Sequence, residues 1–244
     1  MNVCEKYYAV VCEQLAKVFA TQRAAIERAA AWLGEALAHD GWLYAFGTGH
    51  SHMLAEEIFY RAGGLAHAVP MLDDALMLHK EAIAATHLER REGYAADLLE
   101  HYPMTGGDVL IVASNSGRNA VPIELAKLGR DRGTKVVIIT NLAHARAWPS
   151  RHSSGKKLAD VGDLVIDNCG VEGDACIPLP GMPSAIGPTS SITGAFLVNA
   201  IIAQGIENAL ERGVVPEIYI SSNTDGDVHN DKLLRKYKSR IRHL

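Results

Sequence analysis

The sequence has few features that would place its protein in a membrane, in a disulfide scaffold or on nucleic acid. Its apolar runs, such as Val136–Ile139, are far too short to cross a bilayer. The N-terminus has early charges and no apolar stretch of the kind found in signal peptides, so we predict no secretory signal. The four cysteines form no C-x-x-C pair, which favours reduced thiols in a cytoplasmic protein. A net charge of −4 argues against nucleic acid as the main partner.

The pattern of apolar residues predicts an α/β fold. Residues 3–40 have apolar side chains at helical spacing. Short apolar runs typical of buried strands follow at Trp42–Phe46, Ala66–Leu72, Val109–Ser114, Val136–Asn141 and Leu164–Asp167. Between the first four runs come helical stretches at Ser51–Ala62, Leu78–Tyr102 and Asn119–Asp131. This alternation predicts a doubly wound parallel sheet with helices on both faces and an N-terminal helical extension over residues 1–40.

The second half of the chain breaks the alternation. Ala143–Asp160 is polar and is predicted to be a surface loop with a short helix. Cys169–Thr189 is rich in glycine and proline and predicts an ordered, functional loop. Ser190–Glu211 is apolar nearly all round, which predicts a helix buried against the sheet or against another subunit. The tail at 221–244 ends in a basic helical stretch, most simply interpreted as a solvated face.

Two polar turns follow predicted strands at the positions where ligands bind in open parallel sheets. The first reads Gly47-Thr48-Gly49-His50-Ser51, and the second reads Ser114-Asn115-Ser116-Gly117-Arg118-Asn119. Neither has the G-K-[ST] of a Walker A loop, and the first has His52 where a dinucleotide fingerprint has its third glycine. Hydroxyls and free N–H groups at a helix N-terminus attract phosphate, although Ser and Asn also cap helices without any ligand. A third hydroxyl-rich segment, Thr189-Ser190-Ser191, begins the long apolar helix.

Together, the G-T-G-H-S turn, the S-N-S-G turn and the P-T-S-S-I-T segment resemble a sugar isomerase (SIS) domain. The loop starting at Val171 and the helix start at Gly187 are similar to those of arabinose-5-phosphate isomerases, and the first turn resembles that of phosphoheptose isomerases. The stretch FGTGHSHMLAEEIFYRAGG is most similar to SIS proteins defined by the domain alone. The resemblance covers about residues 35–230 and implies one SIS domain over 1–244 with a three-layer αβα fold.

The resemblance also implies a small-molecule phosphosugar as ligand, no organic cofactor, and a homodimer or homotetramer. The predicted phosphate- and sugar-binding residues are Thr48, His50, Ser51, Ser114, Asn115, Ser116, Arg118, Asn119, Ser190 and Ser191. Three positions depart from the family pattern, and at one of them Asn119 is a polar substitute for the usual threonine. Arg118 stands where the family often has a glutamate, and His50 replaces the lysine of arabinose-5-phosphate isomerases. Arginine cannot act as a base but can pair with an anion, which suggests a different sugar, one with an additional anionic group.

Isomerisation of an aldose to a ketose needs a base and a second proton-transferring group. The predicted catalytic residues are Glu57 on the helix after the first turn, Glu172 in the long loop and His229 beyond the long helix. Glu57 or Glu172 would be the base, and His229 would assist ring opening. Each could equally be a solvated or structural residue. Other candidates of the same chemistry are Glu56, Asp174 and His79.

We predict no bound metal, although His50, His52 and Glu56 leave a divalent ion near the first turn open as an alternative. The leading hypothesis is therefore a phosphosugar isomerase that works by enediol proton transfer. Two alternatives remain from the sequence. One is a non-catalytic phosphosugar-binding module, and the other is a lyase or hydrolase acting on an amino-sugar phosphate.

Overall fold

A computed structural model describes all residues, Met1–Leu244, and contains one parallel sheet with the strand order β2-β1-β3-β4-β5. Its strands are β1 (Leu43–Gly47), β2 (Ala68–Met71), β3 (Val109–Ala113), β4 (Lys135–Thr140) and β5 (Leu164–Asp167). Each lies within two residues of the predicted run. The doubly wound α/β architecture is confirmed.

Eight α-helices surround the sheet. They are α1 (Val3–Ala38), α2 (Met53–Glu57), α3 (Leu78–Leu88), α4 (Tyr94–Leu99), α5 (Ala120–Asp131), α6 (Leu142–Ala147), α7 (Ser190–Glu211) and α8 (Asp227–Tyr237). The predicted helix over Leu78–Tyr102 is two helices, because the chain turns between Glu89 and Gly93. The predicted functional loop contains a two-stranded antiparallel hairpin of β6 (Ala175–Ile177) and β7 (Ile186–Pro188). No helix combines the length and apolar character that spanning a bilayer requires.

Both faces of the sheet are buried, each in its own hydrophobic core. Alternate strand residues such as Leu43 and Ile111 pack under α1, α2 and α7. The residues between them, such as Tyr44 and Val112, pack under α4, α5 and α8. Because neither face meets water, the strands are continuous apolar runs rather than alternating ones. Packing within the chain explains why α7 is so apolar, because this helix lies along α1 and the sheet.

The order of the strands places a crevice between β1 and β3. These neighbouring strands are in register up to their last residues, with Gly47 opposite Ala113. The helix after β1, α2, contributes Leu54 and Ala55 to one core, whereas the helix after β3, α5, contributes Val121 to the other. The chain therefore leaves the two strands toward opposite faces, which opens a crevice at their carboxyl ends.

The basic tail packs beside the amino ends of the strands, at the end of the sheet opposite the crevice. The Arg240 guanidinium lies over the Trp42 ring at 5.2 Å from its centroid, and its Nη2 donates a hydrogen bond of 2.9 Å to the Tyr44 hydroxyl. Trp42 also stacks on His67 with 4.5 Å between ring centroids. Arg235, in contrast, has a side chain that is 82% exposed. Only part of the basic stretch is therefore a solvated face.

We predict that Arg240→Ala lowers the free energy of unfolding by about 1–3 kcal/mol, because it removes a charge-assisted hydrogen bond and a cation–π contact. Arg235→Ala is the matched control, since Arg235 makes only an exposed ion pair with Asp231, and should change the stability by less than about 1 kcal/mol. Urea unfolding followed by circular dichroism measures both. Equal stability of the two variants would contradict the assigned role of Arg240.

Candidate active site

The crevice between β1 and β3 contains a small polar hollow of about 20 Å³. Side chains from three separate parts of the chain line it, contributed by the turn after β1, the turn after β3 and the start of α7. The polar ones from these segments are His50, Ser51, Ser114, Asn115, Ser190 and Ser191. Six of the predicted binding residues therefore lie around a single cavity. His50 is the only histidine and the only ionisable side chain among its lining residues.

The two turns are tight enough to need glycine. A Cβ on Gly47 would lie 2.3 Å from the carbonyl oxygen of Ser51, so no other residue allows the chain to fold back so closely after β1. In the second turn, Gly117 has a φ of 59°, and its N–H donates a hydrogen bond of 3.2 Å to Ser114 Oγ. Thr140, at the end of β4, secures this turn through a 2.7 Å hydrogen bond to the Ser114 carbonyl. The shape of both turns therefore depends on glycine, through a close backbone approach at Gly47 and a positive φ at Gly117.

The serine hydroxyls differ in their availability to a ligand. Those of Ser51, Ser116 and Ser191 make no hydrogen bond within the chain. Ser114 Oγ accepts from Gly117, so its own proton is left free to donate. Ser190 Oγ donates instead to Asp174 Oδ2 at 2.6 Å. Hydroxyl groups that are free to donate to a ligand therefore come from all three segments. The Ser190 hydroxyl, in contrast, already has an acceptor in Asp174.

Asp174 closes the N-terminus of α7. Its carboxylate accepts hydrogen bonds from the backbone N–H groups of Thr189 at 3.1 Å and Ser190 at 2.9 Å, in addition to the Ser190 hydroxyl. A carboxylate at this position is stabilised by the helix dipole. Asp174 thus acts as a helix cap in this structure. On the other wall, Asn168 Nδ2 donates to Asn115 Oδ1 at 2.8 Å and orients that amide.

Glu89 connects the two turns. Its Oε2 accepts a 2.6 Å hydrogen bond from Thr48 Oγ1, and its Oε1 accepts a 2.7 Å hydrogen bond from Asn119 Nδ2. Burial raises the pKa of Glu89 above its ordinary value, and the Thr48 hydrogen bond and the charges of Arg90 and Arg151 oppose that shift. Thr48 and Asn119 therefore hold a carboxylate rather than line the hollow.

Sequence reasoning missed Glu89. It lies in a charged stretch, Glu89-Arg90-Arg91-Glu92, that has the appearance of a solvent-exposed helix end. Because Glu89 lies in the middle of the predicted crossover Leu78–Tyr102, the predicted topology gave no reason to place it at the carboxyl ends of the strands.

A wider cleft of about 600 Å³ opens on the other side of the second turn. Ser116 and Arg118 from that turn, Arg151 and Trp148 from the segment after α6, and Glu172 all line it. Glu172 is exposed and accepts a 2.9 Å hydrogen bond from Trp148 Nε1. Arg151 Nη1 donates to Asn119 Oδ1 at 3.0 Å, so the cleft and the turn are directly connected.

Two predicted catalytic residues lie away from the hollow. Glu57, at the end of α2, is bonded to Arg61 and accepts a 2.7 Å hydrogen bond from Asn199 on α7. It lines a separate depression between these two helices. His229 is exposed, and its Nε2 contacts the carbonyl oxygen of Ile218 at 2.9 Å.

The position of His229 follows from the pairing of Ile218. Ile218 pairs with Leu65, just before the amino end of β2. His229 is therefore held beside the amino end of that strand, whereas the hollow lies at the carboxyl ends. Within this chain neither Glu57 nor His229 meets the three hydroxyl-bearing segments.

The groups suggested for a metal near the first turn do not converge. His52 is buried, with Nδ1 bonded to the Gly49 carbonyl and Nε2 3.6 Å from Glu56 Oε1. His50 lines the hollow instead.

In a different cluster, the potential metal-ligand atoms of Glu92, Glu124 and His152 lie within 4.8 Å of one another. There the backbone N–H of Ser154 donates to His152 Nδ1 at 3.1 Å, so the ring proton is on Nε2, which faces Glu124 at 3.3 Å. That cluster is a hydrogen-bonded anchor for the loop that carries Arg151.

Comparison with known proteins identifies the family. A family model described as the SIS domain matches residues 6–141, which is more than half of the chain. A UPF0309 protein of Listeria innocua is 44% identical over 217 residues, covering 88% of each chain. A UPF0309 protein of Geobacillus sp. strain WCH70 is 41% identical over 238 residues, covering 97% of this chain and 96% of the relative.

Solved structures share the fold at low sequence identity. A phosphoheptose isomerase from Francisella tularensis aligns with 85% of this chain and 100% of its own, with a TM-score of 0.55 and 15% identity. The phosphoheptose isomerase of Neisseria gonorrhoeae covers 83% of this chain and 96% of its own, with a TM-score of 0.53 and 20% identity. By its family model, its relatives and its fold, the chain belongs to the SIS domain family and is similar throughout to the UPF0309 proteins.

Proposed function

We propose that this protein is a phosphosugar isomerase that interconverts an aldose and a ketose phosphate through an enediol. The observation that carries the proposal is the convergence of three hydroxyl-bearing segments on one hollow at the β1–β3 crevice. Membership of the SIS family and the fold shared with phosphoheptose isomerases support the same ligand class.

The phosphate is proposed to lie between the two turns. Ser51, Ser114 and Ser191 have hydroxyl protons that no group of the chain accepts, so they donate to phosphate oxygens. The N-terminus of α5, which follows the second turn, adds the positive end of a helix dipole. Ser116 and the Arg118 guanidinium face the adjoining cleft and would meet the rest of the ligand.

Glu89 is proposed as the base. It is the carboxylate that residues of both turns hold in place, and each of its oxygens keeps a second lone pair for a proton. Its raised pKa brings it closer to the range in which a carboxylate both accepts and returns a proton. The C2 proton of the aldose would pass to Glu89 and return at C1, while His50 would move the hydroxyl proton between O1 and O2. Glu172, in the adjoining cleft, is the competing carboxylate.

Ligand binding and chemistry are tested in two steps. A thermal-shift screen of aldose and ketose phosphates of five to seven carbons finds the ligand, because a ligand at 100 times its Kd adds about 2.7 kcal/mol of stability. Incubation of that ligand in D2O then gives deuterium at C2 of the aldose and C1 of the ketose with no other change of mass. A change of mass would favour a lyase or hydrolase, and tight binding without exchange would favour a binding module.

We predict that Ser51→Ala and Ser191→Ala each weaken binding of the identified sugar phosphate about 5- to 30-fold, because each removes a hydrogen bond to a charged group. Ser184→Ala, at an exposed position between β6 and β7, is the control and should bind as the unmodified protein does. Isothermal titration calorimetry gives the three Kd values. Unchanged affinity in both site variants would exclude the hollow as the phosphate site.

We predict that Glu89→Gln lowers the rate of C2 proton exchange by about 10²- to 10⁴-fold, the usual contribution of a general base. Glu172→Gln and Glu57→Gln are isosteric comparisons at the two carboxylates that the sequence suggests. Exchange rates of bound substrate measured by NMR rank the three. A larger loss in Glu172→Gln or Glu57→Gln than in Glu89→Gln would assign the base to that residue instead.

The pKa of Glu89 also predicts the direction of a pH effect on stability. Because burial raises this pKa above its ordinary value of 4.5, the folded protein holds the proton at pH values where the unfolded chain has lost it. The free energy of unfolding, relative to that of Glu89→Gln, should therefore fall as the pH rises from 4.5 through the raised pKa, and then level off.

Glu92 gives a control of opposite sign for this experiment. Hydrogen bonds from Ser153 lower the pKa of Glu92, so its contribution to stability is complete above pH 4.5 and is lost as the pH falls through the lowered pKa. Urea unfolding of both glutamine variants between pH 3 and 8 measures the two trends. A stability difference for Glu89→Gln that rises with pH would show that the carboxylate is stabilised in its ionised form.

A further inference from the structure

The cleft beside the second turn holds two arginines without a carboxylate partner. Arg118 donates only its Nε, to the Pro149 carbonyl at 2.9 Å, and Arg151 donates only Nη1, to Asn119 Oδ1 at 3.0 Å. Neither has an acidic oxygen within the 4.0 Å of an ion pair. Both Nη groups of Arg118 are thus free to form the two parallel hydrogen bonds with which a guanidinium binds a carboxylate or phosphate.

These arginines are held in place although their charges repel. The Arg118 guanidinium lies over the Trp148 ring at 5.7 Å from its centroid. The loop carrying Arg151 is anchored by Glu92, which accepts from the Ser153 N–H at 2.6 Å, and by the contact of His152 with Glu124. Burial, and then the nearby charges of Arg90 and Arg118, lower the pKa of Arg151. Two like charges fixed at the rim of a crevice indicate a site for an anion.

The cleft lies within reach of a ligand in the hollow. Asn115 lines the hollow and Ser116 lines the cleft, and these residues are adjacent in the turn, with Cα atoms ~3.8 Å apart. A sugar phosphate anchored by its phosphate in the hollow could therefore extend its other end over the turn toward Arg118 and Arg151.

The charge of the cleft indicates which anion it would accept. Glu172 and His144 line the same cleft, and His144 Nδ1 accepts a 2.9 Å hydrogen bond from the Gly173 N–H, as a neutral ring does. The two guanidinium groups and the Glu172 carboxylate therefore leave one net positive charge. That balance suits a monoanionic carboxylate better than a second phosphate, which carries up to two negative charges.

We propose that Arg118 and Arg151 form a subsite for a carboxylate group on the phosphosugar ligand, so that the protein acts on an acidic sugar phosphate rather than on a neutral one. This inference rests on the proposed function, because it takes the phosphate of the same ligand to be bound in the hollow.

The test uses pairs of ligands that differ only in the carboxylate. Glucitol 6-phosphate and 6-phosphogluconate share one carbon chain and have CH2OH or a carboxylate at C1, and the arabinitol and arabinonate 5-phosphates form a second pair. Isothermal titration calorimetry of the unmodified protein should show about 10- to 100-fold tighter binding of the acid in at least one pair, as a charge-assisted hydrogen-bonded pair would give. Arg118→Gln and Arg151→Gln should each reduce that preference to within about threefold, because each weakens binding of the acid more than binding of the matching alcohol.

Arg146→Gln is the matched control, because Arg146 lies exposed on α6, close to the cleft in sequence, but does not line it. It should keep the preference for the acid. Equal binding of acid and alcohol by the unmodified protein would overturn the inference. An equal loss of both ligands in Arg118→Gln would overturn it too, because the arginine would then serve the phosphate.

Failure of the proposed function gives a different result. If no member of either pair binds, or if Ser51→Ala leaves the binding of both members unchanged, the hollow does not hold the phosphate and the inference fails with it. Melting temperatures of the variants check that they are folded, and Arg118→Gln keeps the test decisive if Arg151→Gln is unstable.

Discussion

The whole site depends on the fact that β1 and β3 are parallel neighbours that end at the same level. Gly47 and Ala113 are register partners, and the chain leaves them toward opposite faces of the sheet. A crevice forms at this point because the helices that follow the two strands pack on opposite faces of the sheet. They leave the space beyond the strand ends uncovered. The groups with a proposed role come from four kinds of segment near this crevice: the strand ends, the start of α7, the end of α3 and the loop after α6.

The polar residues around the crevice divide into those that build it and those left free for a ligand. Glu89 accepts hydrogen bonds from the side chains of Thr48 and Asn119, and Asp174 accepts one from the Ser190 hydroxyl. Ser51, Ser116 and Ser191 remain free, and Ser114 keeps its proton. Buried polar groups need hydrogen-bond partners, so some polar residues of such a site bind other residues and not the ligand. These residues are of the same types as those left free for the ligand.

Charge is distributed unevenly around the same edge. Glu89 lies half-buried between the turns, whereas Arg118 and Arg151 face an open cleft on the other side of Asn119. Asn119 contacts both sides, since its Nδ2 donates to Glu89 and its Oδ1 accepts from Arg151. This arrangement keeps a carboxylate and two guanidinium groups near one ligand without letting them neutralise each other in an ion pair.

The sequence by itself determined the architecture and the two turns. Continuous apolar runs separated by helical stretches specify a parallel sheet buried on both faces, and the carboxyl ends of its strands then locate the polar turns, since these rules depend only on local pattern. The tertiary structure alone decided which polar residues are free, because an exposed serine and a capping serine have the same local sequence. It also decided that Glu89 lies between the two turns, while Glu57 and His229 do not meet the hollow within the chain. These placements depend on how helices far apart in sequence pack on the sheet, and on a break between α3 and α4 that turns Glu89 toward Thr48 and Asn119.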